Sequence, residues 1–188
     1  MTRLSFALFG LLLSGLLTIV GHLDGDGLSP WEHTISDYAA ADRGGAVETA
    51  MALAALATLG LLPSLYRSHR LATVLLSVWS GALLVATVVP TDPVGEALSA
   101  AGYLHRYAST VAFAALLAAG LRLGFRRLTG VGMAGGLAML ASTYLLHRYA
   151  IGLTERVMAA AELGMLIVLA GRLLRAAVPA PTAALARL

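Results

Sequence analysis

Glu162 stands seven residues beyond Glu155 in an otherwise apolar run. In a helix, with a rise of about 1.5 Å per residue, the two carboxylates share a face about 10 Å apart, Glu162 the deeper. A carboxylate at that depth in a membrane span costs a few kcal/mol and normally faces the bundle interior, as part of a site or in a buried pairing with His105, Arg106 or Arg156. Asp92 sits in Pro90-Thr91-Asp92-Pro93. The two prolines restrict its backbone, which suits an N-cap before Pro93 and equally the rigid carboxyl that a general acid requires. Asp37 is the third acid candidate, in the segment Ser29 to Asp42.

Two similar strings, Tyr103-Leu-His105-Arg106-Tyr107 and Tyr144-Leu-Leu-His147-Arg148-Tyr149, bring histidines among aromatic and basic residues. Tyr and Arg at such places anchor helix ends at lipid headgroups, but histidine is not an ordinary member of that belt. Three chemistries follow. In the favoured one, a protonated carboxyl of Asp92 or Glu162 starts cyclisation of an isoprenoid, with Asp37 a further acid candidate and His105 or His147 setting their protonation. Trp31, Tyr38, Trp79, Tyr103, Tyr107 and Tyr144 would then offer π faces to a carbocation, and Arg106 and Arg148 would contact the substrate. This route needs no cofactor and no metal. In the second, His22, His33, His105, His147 and Asp37 or Asp92 bind zinc and hydrolyse a lipid, with Ser36 near the reacting carbonyl. No His pair is spaced i, i+3 or i, i+4 and no HExxH string occurs. The third is a non-enzymatic transporter or scaffold. Polar residues gathered at one end rather than at mid-membrane breaks weaken its transporter form.

The elements that must position these groups are membrane helices. Of 188 residues, 59% are apolar and 12% charged, where soluble domains have about 25% charged residues. A secreted disulfide scaffold, a disordered chain and a nucleic-acid module are excluded, and with no cysteine there are no thiolate ligands. Apolar runs near the roughly 20 residues needed to cross a bilayer occur at 4–21, 46–66, 71–89, 103–121, 130–147 and 155–174. They predict one all-α domain over 1–188, a compact bundle of six transmembrane helices, with 175–188 a frayed cytoplasmic tail. Nine of the thirteen arginines fall at one end of the spans, while all ten acids lie toward the other. By the positive-inside rule both termini are cytoplasmic in the cell membrane. The basic balance thus reports the bilayer as partner and not nucleic acid. The small partner expected is an apolar molecule or lipid; the sequence leaves the oligomeric state open.

The outer side carries the long connections 22–45 and 90–102. Ser29-Pro30-Trp31-Glu32 has a capping residue, a proline and a third-position Glu, which predicts a short interfacial helix to about Asp42. The bland alternative is that Glu32 only caps, Thr34 and Asp37 make a second capping pair, and Trp31 and Tyr38 belong to the aromatic belt. His22 to Gly27 has the Asp and Gly content of a calcium loop, but His occupies its first and twelfth ligand positions, so it reads as a Gly-Asp turn.

The strings His33-Thr-Ile-Ser36-Asp37-Tyr38, Val89-Pro90-Thr91-Asp92-Pro93 and Leu104-His105-Arg106-Tyr107, in that order over six spans, resemble the bacterial membrane family catalogued as domain of unknown function 998. That resemblance covers most of the chain and implies six spans, with no activity to carry over. In size and outer acid cluster the chain also looks like the small integral membrane terpene cyclases of bacterial natural-product pathways, a likeness of character without a quotable motif.

Overall fold

The computed structural model describes residues 2–23 and 27–177. Asp24-Gly25-Asp26 of the expected turn and the tail beyond residue 177 lie outside the described residues. Eight helices and no strands occur among the described residues: α1 Arg3–Leu23, α2 Ile35–Ala41, α3 Ala46–Leu59, α4 Leu62–Leu65, α5 Arg70–Val88, α6 Ala100–Arg122, α7 Arg126–Tyr144 and α8 Ile151–Ala176. Residues 175 and 176, counted with the tail in the sequence reading, are helical, because α8 continues to Ala176.

In α1, Leu4, Ala7, Leu11 and Ser14 turn inward at helical spacing, while Phe6, Phe9, Leu12, Leu16 and Ile19 are exposed on the other side. A helix apolar on its inner and outer faces alike needs an apolar solvent outside. Five helical segments are long and apolar enough to cross a membrane: Arg3–Leu23, Ala46–Leu65, Arg70–Val88, Ala100–Arg122 and Ile151–Ala176. The protein is a multi-pass membrane protein. The second segment comprises α3 and α4, broken after Leu59 where Pro63 in α4 cannot supply a backbone donor. The remaining run expected from the sequence, 130–147, coincides largely with α7, 19 residues long but diluted by glycine, serine and threonine.

The helices close into one bundle: α1 lies against α3 and α8, α5 between α3 and α6, and α7 against α8. Leu11, Leu61, Leu76, Trp79, Leu116, Met165 and Leu166 belong to a single buried cluster at its centre. Small residues set the closest approach. At Gly135 of α7 an added Cβ would meet the Met158 backbone nitrogen of α8 at 2.9 Å and the Thr154 carbonyl at 3.1 Å, whereas at Gly130 of the same helix it would meet nothing within 4 Å. Gly135→Ala should therefore destabilise the fold by about 1–3 kcal/mol through overpacking against backbone that cannot give way. Gly130→Ala should leave it unchanged or raise it by up to about 1 kcal/mol through helix propensity. Melting temperatures of the two variants in detergent check this, and equal values would remove the close-packing account.

The interfacial helix starts later than the Ser29 cap predicts. Ser29 does nucleate one turn, its carbonyl accepting from Glu32 N–H at 3.1 Å and His33 N–H at 2.9 Å. The chain then becomes extended at Thr34, and α2 begins with Thr34 and Asp37 in a reciprocal capping box. The reason is tertiary. The Trp31 carbonyl accepts from Gly152 and Leu153 N–H, and the Pro30 and His33 carbonyls accept from Arg156. Acceptors that a continuous helix would have used internally cap and clamp the start of α8. Gly152 permits this crossing, since a Cβ there would run into the His33 and Pro30 carbonyls.

Candidate active site

A cavity of about 570 Å³ lies between α1, α3, α5, α6 and α8, roofed by Pro30 and by Ile35 and Ser36 of α2. Its size is that of a small-molecule site. Ile19, Leu83, Phe113, Leu163 and Leu166 make its wall largely apolar. Ile19 and Leu23 line it while being 60% and 79% exposed, so its opening beside α1 faces the apolar surroundings of the bundle.

Several polar side chains of the wall are turned back onto the protein. Ser14 Oγ donates to the Ala50 carbonyl at 2.8 Å, Thr18 Oγ1 to the Ser14 carbonyl at 3.0 Å and His22 Nδ1 to the Thr18 carbonyl at 2.5 Å. Glu155 Oε2 accepts from the Ile35 N–H at 2.5 Å, tying α8 to the first residue of α2. Arg156 Nη1 lies 2.8 Å from the Pro30 carbonyl, 2.7 Å from that of His33 and 2.8 Å from that of Gly152. Its guanidinium stacks over Tyr38, 5.2 Å from the ring centroid. Tyr38 is itself buried, its hydroxyl donating to the Leu28 carbonyl at 2.7 Å.

Three cavity-lining residues keep a buried atom with no partner: His22 Nε2, Arg156 Nη2 and Glu162 Oε1. Glu162 is 3% exposed and shares the cavity wall with Trp79. Both line the deeper, central part of the cavity among apolar neighbours.

At the roof, Ser36 Oγ lies 3.0 Å from His105 Nε2, and His105 Nδ1 lies 2.9 Å from the Val89 carbonyl. A carbonyl only accepts, so the proton resides on Nδ1. Nε2 is left as the acceptor for the Ser36 hydroxyl. His105 is 4% exposed, and Ser36 is on the cavity wall. A serine held by a histidine whose second nitrogen is fixed is the arrangement of an activated nucleophile. The two strings His33 to Tyr38 and Leu104 to Tyr107 thus meet through this one hydrogen bond.

Other residues singled out by sequence stand elsewhere. Asp92 does not line the cavity; its Oδ2 accepts from Ser99 N–H at 2.8 Å ahead of α6. It is not brought together with Glu162, because the chain uses it at the helix start. Asp37 Oδ2 accepts from Thr34 N–H at 2.7 Å and pairs with Arg148 Nη2 at 3.4 Å, a capping and tethering role. The paired Tyr-His-Arg strings are not equivalent. The first is helical within α6, whereas the second lies past α7, with His147 and Arg148 exposed and in left-handed backbone. Tyr103, Arg106 and Tyr107 are exposed, the two rings 6.4 Å apart, and Tyr144 is 77% exposed. Trp31 is largely exposed and meets Tyr149 edge-on at 6.1 Å. These rings form a belt outside the cavity, and of the aromatic candidates Trp79 alone lines it, joined by Phe113. Among the described residues no three of His, Asp and Glu are grouped as a metal ion needs.

Glu155 and Arg156 gain no site role from the sequence, and His22 and Ser36 only one in the zinc reading. The adjacent charges Glu155 and Arg156 inside an apolar run were the available signal.

Fold and site together define an all-α, multi-pass membrane protein with a buried, mostly apolar cavity edged by acid, base and hydroxyl groups. The chain belongs to the family described as protein of unknown function (DUF998), whose model matches residues 8–172. Among curated proteins and among solved structures nothing matches it.

Proposed function

We propose that this protein is an integral membrane enzyme that cleaves or transfers the acyl group of a lipid ester, with the acyl chain in the cavity, Ser36 as nucleophile and His105 as general base. The observation that carries the reading is the Ser36–His105 hydrogen bond at the cavity wall, with the histidine tautomer fixed by Val89. In the reaction the Ser36 proton passes to His105 Nε2 as Oγ bonds to the ester carbonyl carbon. The ester C–O bond then breaks, the leaving alkoxide takes the proton from His105, and water or a second hydroxyl releases the acyl group by the reverse sequence. Arg156, with Nη2 unpartnered at the same mouth, offers a donor for negative charge developing on the carbonyl oxygen. The Val89 carbonyl orients the imidazole from the place that a carboxylate takes in a Ser-His-Asp triad, without a carboxylate's full charge.

The arginine-rich ends of the spans support a cytoplasmic side for both termini in the cell membrane. The Ser36 roof then belongs to the outer leaflet, and the substrate enters from the bilayer.

A second reading, proton-initiated cyclisation of an isoprenoid, is favoured by one observation: the buried Glu162 carboxyl against Trp79 in an apolar cavity. A fluorophosphonate probe separates the two. Under the acyl-transfer reading it should label the purified protein at Ser36, with labelling lost in Ser36→Ala and strongly reduced in His105→Ala. A folded protein that stays unlabelled at Ser36 overturns that reading.

A further inference from the structure

Leaving a buried polar atom without a partner costs about 1–3 kcal/mol, and such atoms are few in native proteins. Among the described residues five side-chain atoms are so placed, and three of the five belong to the lining of one cavity. The other two, Thr58 Oγ1 and Ser80 Oγ, are not on its wall. The three are also ordered along the cavity. His22 and Arg156 stand at the mouth, under the Pro30 and Ile35 roof. Glu162 lies six residues after Arg156 on α8, about 9 Å deeper along the helix. Between the two levels the wall is mostly apolar, with Ala159 and Ala160 on α8 and Ala112 on α6, beside the hydroxyls of Ser109 and of Thr18, the latter turned back onto the Ser14 carbonyl.

Arg156 Nη2 is a donor, so its partner is an acceptor oxygen. Glu162 Oε1 faces the opposite need in an apolar surround, and the matching group is a hydroxyl, since an ammonium would add a second charge to desolvate. We propose that the occupant of this cavity is a medium-chain amphiphile with a polar group at each end: a carboxyl or ester carbonyl oxygen at Arg156, and a hydroxyl near the far end of its chain that donates to Glu162. The inference rests on the reading that the cavity takes an acyl chain, and narrows it. With the carbonyl at Arg156 the reacting carbon sits at the Ser36 end, and the chain runs inward to the carboxyl.

The test compares three probes on the full chain in detergent by calorimetry: decanoic acid, ω-hydroxydecanoic acid and the corresponding diol. ω-Hydroxydecanoic acid should bind about tenfold more tightly than decanoic acid, the difference of one hydrogen bond to a charged or strongly polar group. The diol, lacking the carbonyl oxygen, should bind more weakly than ω-hydroxydecanoic acid by a similar factor. In Glu162→Met the preference for the hydroxyl should vanish while decanoic acid still binds. Equal binding of the two acids by the unaltered protein would mean that water alone satisfies Glu162; the inference then fails and the acyl-chain reading stands. Binding of none of the three overturns both, and fluorophosphonate labelling of Ser36 reports separately on the nucleophile.

Discussion

With a medium-chain acyl ester as substrate, His105→Ala should lower kcat by about 10³-fold while leaving KM within a few-fold, the loss expected when a general base is removed from an intact binding cavity. His105 is not on the wall of the cavity, so its removal leaves the surface that holds the chain in place. What disappears is the acceptor 3.0 Å from Ser36 Oγ. Ser36→Ala should cost about as much, and the double variant little more than either, because two members of one nucleophile–base unit are not additive. His105 also bridges α6 to the Val89 carbonyl, so a purely structural role would lower activity through unfolding. Circular dichroism and the undiminished affinity for a non-hydrolysable acyl chain distinguish the two. If His105→Ala keeps full kcat, the hydrogen bond is structural and the nucleophile assignment goes with it.

Asp92→Asn supplies the contrast. Asp92 meets Ser99 N–H with a single oxygen that an amide carbonyl replaces. Turnover should therefore stay within a few-fold of the parent, measured in the same ester assay. An acid catalyst in the same place would lose its proton and with it the activity.

The helices were legible because a membrane helix is apolar on the face it buries and on the face it shows to lipid. The long runs stand out without periodicity, and even α7, the least apolar, was found by its freedom from charge. The site was legible only in pieces. Ser36 and His105 are 69 residues apart and Ile35 and Glu155 120 apart, and no local rule brings them together. Their meeting depends on the Trp31, Pro30 and His33 carbonyls turning from their own turn toward α8. The likeness of the two Tyr-His-Arg strings misled for a physical reason as well. His147, Arg148 and Ala150 adopt left-handed backbone without a glycine or proline, held by Ser142 Oγ donating to the Tyr149 carbonyl at 2.6 Å. Ordinary turn chemistry gave no warning there. Glu162 was singled out by depth alone, and that criterion carried because burial in an apolar span is costly wherever the helix ends.

That cost makes the last prediction. Glu162→Met should raise the melting temperature of the protein in detergent and at the same time abolish discrimination for a hydroxylated chain. Methionine fills a similar volume without a polar atom, so the variant sheds the penalty of a carboxyl whose Oε1 has no partner. Relief of about 1–3 kcal/mol is the expected scale. Glu162→Gln keeps an acceptor and should fall between the parent and Glu162→Met in both measurements. A residue that serves only the fold would behave in the opposite way, its removal lowering stability as the helices around Trp79, Ala112 and Leu166 lost a partner. A melting temperature lowered in Glu162→Met, with the hydroxyl preference intact, would make Glu162 a structural element of the bundle and leave Ser36 and His105 as the whole of the site. A raised one, with ester cleavage retained, would assign the carboxyl to recognition rather than to proton donation and would count against cyclisation directly, because among the described residues that chemistry has no other acid on the cavity wall at this depth.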